Sequence, residues 1–208
     1  MRRRMRRSVV GVLAAVAVVA AGATRAAAQE TGTPVFKAPY RAFTTHEFGG
    51  SISFPSGAPD FALEGFYSYG HGAYDLGIRG GFDNIPGGDT RVLIGGDFRT
   101  RVLDASDRFP VDGALVVGLG INAGSGPDVV YIPVGLSLGR RFLLEGSKTS
   151  FVPYVEPVVV PALSSGNSNL DFALGFGVDI RFSNTIDFRV SGGVCDIEGI
   201  SLGLAFVR

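Results

Sequence analysis

The sequence predicts an all-β fold, one closed antiparallel up-and-down barrel of ten strands, with eight as the alternative count. Three observations predict it. First, residues 170–182, L-D-F-A-L-G-F-G-V-D-I-R-F, alternate without a break. Leu170, Phe172, Leu174, Phe176, Val178, Ile180 and Phe182 share one face, and Asp171, Ala173, Gly175, Gly177, Asp179 and Arg181 share the other. A period of two belongs to a strand and not to a helix, and the run is about twice the usual length of a soluble strand. Second, segments of the same kind recur along the chain between clusters of Gly, Pro, Asn, Asp and Ser. Third, an export-type segment precedes them.

That segment is residues 1–28. A basic start over residues 1–7 leads into an apolar run over residues 9–23, and Ala26-Ala27-Ala28 fits the small-residue cleavage pattern, making Gln29 the first mature residue. The run falls short of the roughly twenty residues a spanning helix needs. Residues 29–42, Q-E-T-G-T-P-V-F-K-A-P-Y-R-A, hold two prolines and no period. They read as a short periplasmic lead-in to a barrel domain over residues 43–208.

The ten strands are expected at residues 43–54, 60–69, 73–82, 90–103, 111–121, 129–142, 151–163, 170–182, 185–194 and 199–207. The faces of several follow from their alternation. Tyr74, Leu76, Ile78 and Phe82 face one way, and Asp75, Gly77, Arg79 and Asp83 the other. Val92, Ile94, Phe98 and Val102 oppose Asp97, Arg99 and Arg101. Ile186, Phe188, Val190 and Val194 oppose Asp187, Arg189 and Ser191. The first strand alternates poorly. The seventh carries Pro153, Pro157 and Pro161 on one face, and proline cannot donate to a ladder, so an irregularity or a bulge is expected there.

In a soluble sandwich the apolar face would be inside. Here the unbroken apolar rows, the strand lengths of about ten to fourteen residues and the export segment favour the inverse: apolar face to lipid, polar face to the lumen. Closure removes the unpaired edges that hydrocarbon cannot tolerate. Tyr67, Tyr69 and Tyr74 near one turn, and Phe142, Phe151, Tyr154, Phe182 and Phe188 near others, fit interfacial aromatic rings. The alternative is a secreted soluble barrel that binds an apolar ligand, with the same aromatics lining a dry interior.

The expected lumen collects Glu47, Glu64, Asp75, Asp97, Glu156, Asp171, Asp179 and Asp187 against Arg79, Arg99, Arg101, Arg181 and Arg189. Charges enclosed in a narrow barrel must pair, because an unpaired buried ion costs several kcal/mol. Two readings remain open: an ion-pair network that fills the barrel, or a narrow polar path for small solutes, widened by inward glycines such as Gly77, Gly95, Gly135, Gly175 and Gly177.

Composition excludes several classes. All nineteen acidic residues and thirteen of the nineteen basic ones follow residue 28, a net charge of about −6 that argues against nucleic acid. The single cysteine, Cys195, forbids an intrachain disulfide. Neither G-x-x-x-x-G-K-[ST] nor G-x-S-x-G occurs, and the G-x-G pairs at Gly118/Gly120 and Gly175/Gly177 are strand glycines. Cys195 with Asp196 is too sparse for a metal site. No catalytic residue, metal or cofactor is expected. The one enzymatic alternative is a lipid-modifying barrel using His46 with Ser51 and Glu47.

The export segment, the repeated alternating hairpins, F-V-P-Y-V at residues 151–155, and the closing I-S-L-G-L-A-F-V-R at residues 200–208 carry a resemblance. In the last stretch Ile200, Leu202, Leu204 and Phe206 share a face. Residues 43–208 resemble the small bacterial outer-membrane β-barrels, the porin-like and OmpA-like group. The resemblance implies an outer-membrane location in a Gram-negative-type bacterium, membrane lipid around the wall, and assembly by the barrel assembly machinery, which reads a terminal aromatic. Here Val207 and Arg208 follow Phe206, a departure from that pattern. The function expected is a structural or narrow-pore protein without catalysis.

Overall fold

The structure is a computed structural model and describes residues 30–208 apart from residues 58, 86, 88, 107 and 108. The expected signal peptide, residues 1–28, lies outside the described residues. The described strands are β1 (His46–Pro55), β2 (Phe61–His71), β3 (Tyr74–Ile85), β4 (Asp89–Leu103), β5 (Asp112–Gly124), β6 (Val129–Tyr131), β7 (Val134–Gly139), β8 (Phe142–Leu143), β9 (Ser150–Ser164), β10 (Asn167–Arg181), β11 (Ile186–Cys195) and β12 (Gly199–Val207). Each pairs antiparallel with its neighbour, and β1 pairs with β12 from Glu47↔Val207 to Pro55↔Gly199. That seam closes the barrel. Counting β6, β7 and β8 as one stave, it has ten staves, as the alternation predicts.

The broken sixth stave has one cause in itself, Pro133 in the gap between β6 and β7, and others on the strand beside it. β9 runs uninterrupted through Pro153, Pro157 and Pro161, so the irregularity expected in it is displaced onto its partner. The pairing register is constant from Val129↔Ser164 through Val134↔Val159 to Phe142↔Phe151. In that register Pro161 faces Ile132, Pro157 faces Leu136 and Pro153 faces Arg140. Ile132 lies between β6 and β7, Arg140 lies between β7 and β8, and pairing of β7 with β9 skips Leu136. A proline nitrogen has no hydrogen to give, so the facing strand loses a ladder bond at each of these points. On its other side β9 pairs with β10 over its whole length, Asn167↔Ser164 to Arg181↔Ser150.

The faces follow the alternation. Leu76, Ile78, Ile94, Leu119, Leu170, Phe172, Phe182, Ile200 and Phe206 point outward and are exposed, Ile78 at 64% and Leu170 at 72%. Glu47, Glu64, Asp75, Arg79, Asp97, Arg99, Glu156 and Asp187 point inward and are buried. This overturns the arrangement of a soluble barrel with an aromatic interior: the phenylalanines of β10 are on the outside wall. An aromatic band rings the mouth where the two ends of the barrel chain meet. His46 stacks on Tyr67 and lies tilted against Tyr69 across β1 and β2, His71, Tyr74 and Phe98 continue across β2, β3 and β4, and Phe142 stacks on Phe151. Tyr154 does not belong to that band. Its position in β9 turns it inward, where it is buried.

From sequence alone residues 29–42 are a short periplasmic lead-in to a barrel domain over residues 43–208. The structure packs the described part of this lead-in within the barrel. Residues 30–43 enter at the mouth that holds Arg208, whose carbonyl accepts from the amides of Thr44, Thr45 and His46, and they run up the lumen. Glu30, Thr31, Thr33, Phe36, Ala38 and Phe43 are buried among inward side chains of the wall.

Candidate functional site: a lumen filled by its own chain segment

The lumen is built from two parts, the inward faces of the staves and the segment of residues 30–43. Inward glycines let the two fit. A Cβ at Gly120 would overlap the Glu30 carbonyl oxygen, and one at Gly175 would overlap the Phe36 ring. A Cβ at Gly139 would lie 3.1 Å from Pro39 Cδ. Of the inward glycines expected to widen a channel, Gly95 and Gly175 instead make room for this segment, while Gly77, Gly135 and Gly177 make room for Asp97, Glu156 and Tyr154 of the wall.

Charge in the lumen is organised around arginines. Arg79 lies between Glu30 at 3.4 Å and Glu64 at 3.1 Å, all three nearly sealed from solvent. Thr33 Oγ1 donates to Glu64 at 2.8 Å. Lys37 pairs with Asp97, and its backbone N–H donates to Glu156 at 2.9 Å. Arg99 pairs with Asp75 at 3.0 Å and also donates to the carbonyl of Ala38 at 2.6 Å. Across the barrel Arg189 is held by Glu47, by Asp187 at 3.0 Å and by Asp179 at 3.7 Å, and lies over the Phe66 ring. Arg91 grips Asp83 with both ends of its guanidinium. Fixed geometry and mutual neutralisation are what such burial requires.

At the mouth the segment is pinned by Tyr40. Its ring lies between the guanidiniums of Arg101, 5.5 Å away, and Arg141, 4.6 Å away. Its hydroxyl donates to Asp112. Burial and the Asp112 carboxylate push the phenol up to about 12, so it stays protonated as a donor. Deeper in, burial first and the nearby Asp97 second push the Glu30 carboxyl up to about 7, against the pull of Arg79 and Lys37.

Little space is left. A cavity lined by Phe36, Lys37, Glu47, Arg79, Asp97 and Arg189 measures about 30 Å³, room for one or two waters. Another beside Tyr40 and Arg181 measures about 10 Å³.

Of the residues expected inside, Glu47, Glu64, Asp75, Arg79, Asp97, Arg99, Glu156, Asp179 and Asp187 are buried in the lumen. Arg189 is half-buried there, Asp171 and Arg181 are half-buried towards opposite mouths, and Arg101 is exposed on the rim, paired with Asp104. Sequence misses Glu30, Lys37 and Tyr40, because the segment carrying them has no period. It also misses Arg91 and Asp112 at the strand ends. The inward glycines were the available signal, since room made on one side of a small barrel calls for something bulky to fill it. The residues of the enzymatic alternative are divided by the wall: His46 is outside, its Nδ1 2.8 Å from the Tyr67 hydroxyl, whereas Glu47 and Ser51 are inside. Among the described residues no group of three His, Cys, Asp or Glu is placed to hold a metal ion.

The solved structures similar to this chain include an outer membrane secretin and an autotransporter β domain. A bacterial polysaccharide outer membrane secretin shares 13% identity over 71% of this chain at a TM-score of 0.41, and the chain spans 56% of its length. The β domain of the Bordetella autotransporter BrkA shares 13% identity over 77% of this chain and 97% of its own, at a TM-score of 0.49. Both likenesses are too distant to say anything of the lumen. No family model matches the chain. No curated protein matches it.

Proposed function

We propose that this chain is an outer-membrane β-barrel of a Gram-negative-type bacterium, exported through a cleaved signal peptide, structural and non-catalytic, with its lumen closed by its own residues 30–43. The observation that carries this is the inverted wall. Large apolar side chains are exposed around the barrel while a paired ionic network is enclosed. A continuous exposed apolar surface of this kind is costly in water and favourable against acyl chains. Between the two forms of the expectation, structural or narrow pore, the filled lumen favours the first. Membrane lipid around the wall and the barrel assembly machinery are the partners this function calls for, with Phe206, the last aromatic of β12, exposed on its outer face.

The test has two arms. Cell fractionation is expected to leave the mature protein in the outer membrane after a carbonate wash; recovery as a free periplasmic protein overturns the membrane assignment. In planar bilayers the purified barrel is expected to carry no steady current; a sustained ohmic conductance overturns the closed lumen and restores the pore.

A further inference from the structure

The wall holds residues 34–41 mainly by their backbone. Ser191 Oγ donates to the carbonyl of Pro34 at 2.9 Å and accepts from the amide of Phe36 at 3.3 Å. Tyr154 donates to the carbonyl of Phe36 at 2.8 Å. Glu156 accepts from the amide of Lys37 at 2.9 Å, and Ser137 donates to its carbonyl at 2.5 Å. Arg99 donates to the carbonyls of Ala38 and Tyr40, and Arg181 to that of Arg41. These partners come from β4, β7, β9, β10 and β11, on several sides of the segment.

Such contacts read an extended main chain and tolerate many side chains. Three positions add selectivity. Phe36 fills the space that Gly175 and Gly193 leave. Lys37 meets Asp97. Tyr40 enters between Arg101 and Arg141. Pro34 and Pro39 keep the intervening chain extended, with less conformational freedom to lose on binding.

We propose that the lumen is a polypeptide-binding channel for a proline-flanked segment with an aromatic-lysine pair and a following tyrosine, filled in this structure by residues 33–41 of the same chain, which bend at Pro39 and Tyr40. The site therefore accepts the same pattern on a separate polypeptide once the chain's own copy is released. This goes beyond the proposed function and does not depend on where the barrel resides.

The full chain is folded in detergent with a protease recognition sequence inserted between Thr44 and Thr45, both exposed, and then cut. Without competitor the freed segment is expected to remain with the barrel through gel filtration, and in the presence of excess fluorescein-labelled peptide of residues 31–42 it is expected to be replaced by that peptide. A control peptide with glycine at the positions of Phe36, Lys37 and Tyr40 is expected to need at least tenfold higher concentration. Capture of neither peptide, failure of the labelled peptide to exchange, or equal capture of the control overturns the proposal. Should the insertion prevent folding, judged by loss of the compact band on unheated gels, uncut protein carrying Phe36→Ala and Tyr40→Ala decides the matter. It is expected to bind the labelled peptide at least tenfold more tightly than wild type, whose tethered segment competes at high effective concentration. No gain over wild type overturns the proposal.

Discussion

Replacing Arg79 with methionine removes the cation from between Glu30 and Glu64 while keeping an unbranched apolar stem. The guanidinium is 4% exposed and both carboxylates are sealed, so water cannot take its place. Breaking a buried pair by removing one partner costs about 3–5 kcal/mol, because the remaining charge is left uncompensated. Here the lower end applies: Glu64 keeps the Thr33 hydroxyl, and Glu30 can take up a proton. About 3 kcal/mol is a large part of the roughly 5–15 kcal/mol that holds a domain together. It lowers the folding constant by roughly a hundredfold. Urea titration of the detergent-folded protein at pH 8, followed by tryptophan-free far-UV dichroism, measures the loss. Adding Glu30→Gln and Glu64→Gln to Arg79→Met is expected to restore most of it, since a neutral buried set has no charge to satisfy. A single variant within about 0.5 kcal/mol of wild type, the range of an ordinary surface change, refutes the pairing. So does a triple variant no more stable than the single.

Three further outcomes follow from the same geometry. Ile78→Arg puts a cation on the middle of the outer wall and is expected to cost about 2–4 kcal/mol in lipid; vesicle refolding yields that match wild type would count against a lipid-facing Ile78. Gly175→Leu thrusts a side chain into the space of the Phe36 ring, an overpacking worth about 1–3 kcal/mol, and Phe36→Ala should relieve part of it in a melting experiment; independent, additive losses would separate the two residues. Glu30 binds its proton more tightly when folded, so the stability it contributes is present below its unfolded value near 4.5 and is lost as pH rises through about 7. Amide exchange at residues 31–37 is accordingly expected to quicken between pH 5 and pH 8 in wild type and to change less in Glu30→Gln; identical pH profiles would rule out that linkage.

How much of this could be read in advance depends on whether a period was present. β10 has a clean alternation, and both its existence and the direction of Phe172, Asp179 and Arg181 follow from the letters alone. β1 alternates poorly because Gly49 and Gly50 interrupt it, yet pairing on both sides with β2 and β12 fixes its faces. Tertiary pairing there outweighs local pattern. The sixth stave reads as one strand from residue 129 to 142: Pro133 marks its first break, but the remaining irregularities are imposed by prolines later in the chain. Residues 30–43 were the least legible. Their backbone hydrogen bonds to the wall go to side chains scattered over five strands, so no local spacing records them. Glu47 and Arg189 could be assigned to the inside from alternation, but that they meet across β12 needs the closed register.

The seam between β1 and β12 has a consequence for how the protein comes into being. The strand made first among the ten staves must find the strand made last, so until β12 arrives the polypeptide is an open sheet with two free borders. Until then it presents backbone groups seeking partners along both margins, and its inner strap has nothing yet to lie in. The connectivity itself thus makes the meeting of those two margins the last and most distant pairing to form.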